Sequence, residues 1–183
     1  MRLKAVAALT CAGAVFCFAM QPAGATAAEL QRWSGGGQSA FSLPTIGGAA
    51  AVLEAARGHA VLVHFFATWC EPCREELPAL NRLAARAGGS VTVLAIAVAD
   101  ADRSVQRFFV TTPVDFPILL DRDRAVAKAW NVATLPTTFV LDASLQPKFV
   151  VESDFAWDTI DPGKLSSALD AAGSTSIKDA SNR

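Results

Sequence analysis

AVLVHFFATWCEPCREELP, residues 60–78, is where the reading of this chain turns. Residues 60–67 are apolar on both alternating faces apart from His64, the pattern of a central strand covered on both sides. From Glu71 the period changes. Leu77, Leu80, Leu83 and Ala84 fall on one helical stripe, and Gly88-Gly89 closes it. A buried strand therefore runs into a helix over residues 71–87, with Cys70 and Cys73 at the junction.

The pattern repeats outward from this unit. VTVLAIAV (91–98) reads as a second buried strand, 102–110 as a helix, 116–120 as a short strand and 122–130 as a helix. Residues 137–141 and 148–151 read as two strands of a hairpin. A closing helix is expected over 161–172, with Pro162 in its first turn. The Ala-rich stretch GGAAAVLEAAR (47–57) is ambiguous and could form a short helix. Strands alternating with helices, followed by a hairpin, define an α/β sandwich with a mixed central sheet and helices on both faces.

C-x-x-C has two common uses, half of a zinc site or a redox pair. A zinc site needs further ligands, and beyond carboxylates the only histidines are His59 and His64. An odd separation on one strand points such side chains to opposite faces. A redox pair needs a strand ending before the first cysteine and a helix starting at it. The helix N-terminus offers unpaired N–H groups and partial positive charge, which favour the reactive thiolate. Lowering a cysteine pKa from about 8.5 to about 7 takes roughly 2 kcal/mol, near the upper end of what a helix terminus supplies.

ATWCEPCREELPAL resembles the active-site segment of the thioredoxin superfamily, and within it the exported TlpA/ResA/CcmG-like disulfide reductases. Pro78 matches a helix kink of that pattern, and Leu135-Pro136-Thr137-Thr138-Phe139 resembles the family's cis-proline loop. The resemblance spans roughly residues 41–172 and implies a thioredoxin-like sandwich. It makes Cys70 the attacking thiol and Cys73 the resolving one. It also implies that Trp69 shields the disulfide, and that Leu135 and Pro136 meet the substrate backbone. Glu76 falls where ResA-like members carry a glutamate near the cysteines; the alternative is a solvated charge on the helix face. His64 stands where thioredoxins carry a buried Asp and TlpA-like members often an Asn. It is either a core histidine with one satisfied hydrogen bond or the proton acceptor for Cys73. No cofactor is expected.

Direction is a matter of redox potential. Glu71, Glu75 and Glu76 surround Cys70, with Arg74 the only nearby cation, and like charges disfavour a thiolate. The dithiol is therefore expected to be a reductant, with an oxidant or isomerase of the same fold as the alternative. A thiol peroxidase would want Thr three residues before its cysteine, where Ala67 stands. A copper module of the C-x-x-x-C type would need one more residue in the spacing and a histidine after residue 64.

The first residues carry an address. Arg2 and Lys4 precede an uncharged run over 5–20, then Pro22 and Ala25-Thr26-Ala27, the form of a signal peptide covering 1–27. An uncleaved membrane anchor is the alternative, although the run is short for a span of about 20 residues. Cleavage removes Cys11 and Cys17 and leaves Cys70 and Cys73, a pair that can form a disulfide in an oxidising compartment. The full chain carries a net charge of −1. Losing Arg2 and Lys4 leaves 14 basic against 17 acidic residues, a balance of −3 that gives no electrostatic footprint for nucleic acid. Residues 28–40 read as a flexible lead-in and 173–183 as a disordered tail. The expectation is a monomer, periplasmic or otherwise extracytoplasmic after cleavage, whose partners are disulfide-bearing exported proteins, apocytochrome c among them by resemblance. A membrane thiol reductant would supply the electrons.

Overall fold

The computed structural model describes residues 29–180; the expected signal peptide lies outside the described residues. Six strands form the main sheet: β1 (Gln31–Arg32), β4 (Ala60–Phe66), β5 (Val91–Val98), β6 (Ile118–Asp121), β7 (Thr137–Leu141) and β8 (Pro147–Val151). Their spatial order is β1-β8-β7-β4-β5-β6. β4, β5 and β6 run parallel, whereas β7 and β8 run antiparallel to their neighbours, so the sheet is mixed. A separate hairpin of β2 (Ser42–Pro44) and β3 (Ala50–Val52) bridges to β6 through Thr45 and Leu119.

The period-2 rule places the core. Leu62 and Phe66 of β4 pack into one layer with Leu77, Leu80 and Leu83 of α1 (Glu71–Ala87). Val105 and Phe109 of α2 (Asp102–Thr111) and Leu165 and Leu169 of α4 (Pro162–Ala180) join the same layer. Val61, Val63 and Phe65 face the other way, onto Phe41, Leu53, Trp130 and Ala127 of α3 (Ala125–Ala129). Seven consecutive β4 residues are buried, as expected for a strand sandwiched between two layers.

Several expectations are corrected. The ambiguous 47–57 segment gives β3 and then a 3-10 turn over Leu53–Ala56, not one helix. The helix expected over 122–130 shrinks to α3, because Arg124 is left-handed (φ 63°) and Asp121 accepts the Val126 and Ala127 N–H groups at 3.2 and 2.8 Å. Residues 28–40 are not wholly a lead-in: Gln31 and Arg32 pair with Val150 and Phe149, and Trp33 packs edge-on to Phe139 at 5.2 Å. α4 continues to Ala180, past the expected start of the tail.

Candidate active site

The parallel strands β4 and β5 end side by side, and the loops leaving their carboxyl ends build the site, as is usual in open α/β sheets. Cys70 is the N-cap of α1 and is joined to Cys73 in a disulfide. The Cys73 N–H points at Cys70 Sγ, 3.4 Å away. Cys70 keeps 8% of its surface and Cys73 none, so of the two residues only the first reaches solvent. Trp69 is exposed beside it, and Pro78 lies within α1.

Leu135–Pro136 is a cis peptide bond. Leu135 and Trp69 line one pocket, so the two segments that the sequence singled out, some 65 positions apart, meet in space. Pro136 is buried and Leu135 half-buried.

His64 lies at the middle of β4, paired with Ala95 of β5 and Thr138 of β7. Its parity is that of Leu62 and Phe66, so it faces the α1 layer that contains Cys73. It is fully buried and stacks on Phe66 with ring centroids 5.9 Å apart. Nδ1 is 2.9 Å from Thr138 Oγ1, and Nε2 has no partner among the described residues. Burial pushes the imidazole down to about 3, so it is neutral at pH 7.

Glu76 is also buried, one helical turn beyond Cys73, which removes the solvated-charge reading. The Trp157 indole N–H donates to Glu76 Oε1, while Oε2 is unpartnered among the described residues. Burial pushes this carboxyl up to about 8; the indole bond opposes the rise and Asp154 adds to it. Glu76 is consequently mostly protonated at pH 7 and adds little negative charge beside Cys70. The surrounding acid is supplied by exposed Glu71 and Glu75, while Arg74 lies over the Phe108 ring at 5.6 Å.

Two residues escaped the sequence reading. Asp100 Oδ2 accepts both the Thr68 N–H and the Thr68 hydroxyl, at 2.6 and 2.7 Å, and so ties the end of β5 to the turn that presents Cys70. Its signal was available: an acid just past the carboxyl end of a buried parallel strand, next to the site. Trp157 had no such signal. It is held over Glu76 by α1 itself, through the Arg82–Asp158 ion pair at 2.6 Å and Arg86 bonds to the Asp158 and Ile160 carbonyls.

The Thr68 hydroxyl, the one nearest the place a peroxidase would want it, is committed to Asp100. Exposed His59 lies before β4, away from buried His64. Among the described residues, no three His, Cys, Asp or Glu side chains gather as a metal site.

This fold is thioredoxin-like, and the chain belongs to the AhpC/TSA family, which residues 37–146 match. It is 40% identical over 105 residues to the thioredoxin-like protein YneN of Bacillus subtilis, covering 56% of this chain and 61% of that one. It is 35% identical over 106 residues to the thiol-disulfide oxidoreductase ResA of Geobacillus kaustophilus, covering 57% and 61%. The chain thus spans about three-fifths of the length of these curated relatives. Among solved structures it resembles a secreted Mycobacterium tuberculosis disulfide oxidoreductase homologous to E. coli DsbE. That likeness has a TM-score of 0.58 and 26% identity over 72% of this chain and 95% of that one.

Proposed function

We propose that this chain is an exported thiol-disulfide oxidoreductase that reduces disulfides in extracytoplasmic proteins. The observation that carries the reading is the asymmetry of the pair: Cys70 caps a helix N-terminus and keeps a little exposure, and Cys73 is fully buried. In the reduced protein the Cys70 thiolate attacks one sulfur of a substrate disulfide, and the other substrate sulfur leaves as a thiolate that takes up a proton. Cys73 then loses its proton and attacks Cys70 Sγ. The substrate's second sulfur departs, and two electrons have passed from the dithiol to the substrate.

The second step needs a proton acceptor in an apolar interior, and Glu76 is our candidate: it is buried one helical turn beyond Cys73, and a carboxyl raised to about 8 matches a thiol in basicity. His64 faces the same layer, but an imidazole pushed down to about 3 is too weak a base to keep a thiol's proton. It serves as a neutral hydrogen-bond acceptor toward that layer, in the tautomer in which Nδ1–H donates to Thr138 Oγ1 and Nε2 is left without a partner among the described residues. Leu135 offers backbone groups to an extended substrate chain, a mode that gives affinity with little sequence selectivity. Trp69 covers the disulfide from outside. The exported location is supported by the leader-like first 27 residues and by the secreted relative. Apocytochrome c is a candidate substrate, and a membrane thiol reductant the candidate donor.

The reading is tested by trapping. Cys73→Ala should accumulate a mixed disulfide through Cys70 when mixed with oxidised exported proteins, and Cys70→Ala should accumulate none. Equal trapping by both variants would overturn the assignment of the two sulfurs.

A further inference from the structure

A pocket of about 330 Å³ is lined by Trp69, the residue before Cys70, and by Leu135 of the cis-proline loop, within the size range of small-ligand and side-chain sites. Buried Val98 and Val132 add apolar lining. Exposed Arg124 stands at its edge.

The charges around this pocket do not cancel. Asp100 is committed to Thr68, and Asp102 accepts both Arg122 N–H bonds at 2.9 and 2.8 Å. Asp121 accepts the Val126 and Ala127 N–H groups, and Asp123 the Ala125 N–H at 3.0 Å. Every acid on these segments has a partner, yet among the described residues no carboxylate pairs with the Arg124 guanidinium. A guanidinium is always charged and its fork fits a carboxylate.

The backbone here is also unusual. Four non-glycine residues of the described chain have positive φ, and three belong to the segments around this pocket: Ala99 (50°), Arg124 (63°) and Asn131 (55°). Such conformations cluster where a ligand is clamped.

We propose that Arg124 makes this pocket charge-selective, favouring peptides that carry a carboxylate next to an apolar residue beside the target cysteine. The apolar side chain fills the space between Trp69 and Leu135, and the carboxylate pairs with Arg124. The inference rests on the oxidoreductase reading and adds the substrate class to it.

The test uses single-turnover second-order rate constants of the reduced protein on cyclic disulfide peptides. One cysteine is flanked by Leu-Glu, Leu-Gln or Leu-Lys, and rates are normalised to each variant's rate on neutral 2-hydroxyethyl disulfide. The protein should favour the Glu peptide over the Lys peptide by about fivefold at low salt, fading as salt rises. Arg124→Lys should retain a preference of the same sign, Arg124→Ala should remove it, and Arg124→Glu should invert it. Equal rates on all peptides, with 2-hydroxyethyl disulfide still reduced, would overturn the subsite alone. No reduction of any disulfide would overturn the oxidoreductase reading and the subsite with it.

Discussion

His64 Nδ1 and Thr138 Oγ1 lie 2.9 Å apart across the β4–β7 pair, so one ring nitrogen is anchored and the other has no partner among the described residues. An imidazole pushed down to about 3 cannot hold the Cys73 proton, so that role falls to Glu76. Glu76→Gln should slow release of the mixed disulfide by roughly tenfold or more, while first attack by Cys70 stays near normal. His64→Asn should slow the same step less. Stopped-flow resolution of the two steps between pH 5 and 9 checks this. Identical rates and pH profiles in all three proteins would leave Glu76 and His64 as packing residues.

The two buried titrating groups give opposite pH dependences. Glu76 is raised from 4.5 to about 8, so the folded protein holds a proton that the unfolded chain has released. That contribution is fully present below about 4.5 and lost by about pH 8. His64 is lowered from 6.5 to about 3, so its contribution is present above 6.5 and lost as pH falls toward 3. Glu76→Gln should flatten the decline between pH 4.5 and 8, and His64→Asn the decline between 6.5 and 3. Urea denaturation across this range, taken as differences from the parent protein, reads both.

Trp157→Phe removes the indole bond that favours the charged form of Glu76. The carboxyl should then titrate still higher, by a carboxylate-resolved infrared or NMR titration. A lower value would mean that the indole stabilises the protonated acid instead.

Asp100 positions the turn at Thr68 rather than touching sulfur. Asp100→Ala leaves the Thr68 N–H without its acceptor and should cost about 1–3 kcal/mol in stability. It should also slow the first attack by Cys70 more than the second step. A purely structural role would lower stability and leave the ratio of the two rates unchanged.

What the sequence made legible follows its physics. β4, β5 and α1 were readable because apolar period and the Gly88-Gly89 stop are local signals. The pairing of Cys70 with the Leu135–Pro136 loop was readable only through resemblance, since it joins distant segments. β1 was missed because Gln31 and Arg32 carry no apolar pattern and owe their conformation to Phe149 and Val150 across the sheet. The length of α3 depended on a side chain capping from Asp121, and the protonation of Glu76 on burial that a glutamate in a charged stretch of helix does not announce. His64 was legible as a buried group in an apolar strand, but its free nitrogen depended on Thr138 from a strand 74 positions on.

The central claim is that the Cys70–Cys73 dithiol is a reductant. Glu71 and Glu75 stand near Cys70, and Arg74 is drawn over Phe108, so little favours an unusually stable thiolate. The most direct test is the reduction potential of this couple, by equilibration in defined thiol–disulfide buffers. The account predicts a value close to the roughly −270 mV of thioredoxin, whereas a value near the roughly −120 mV of the oxidant DsbA would contradict it.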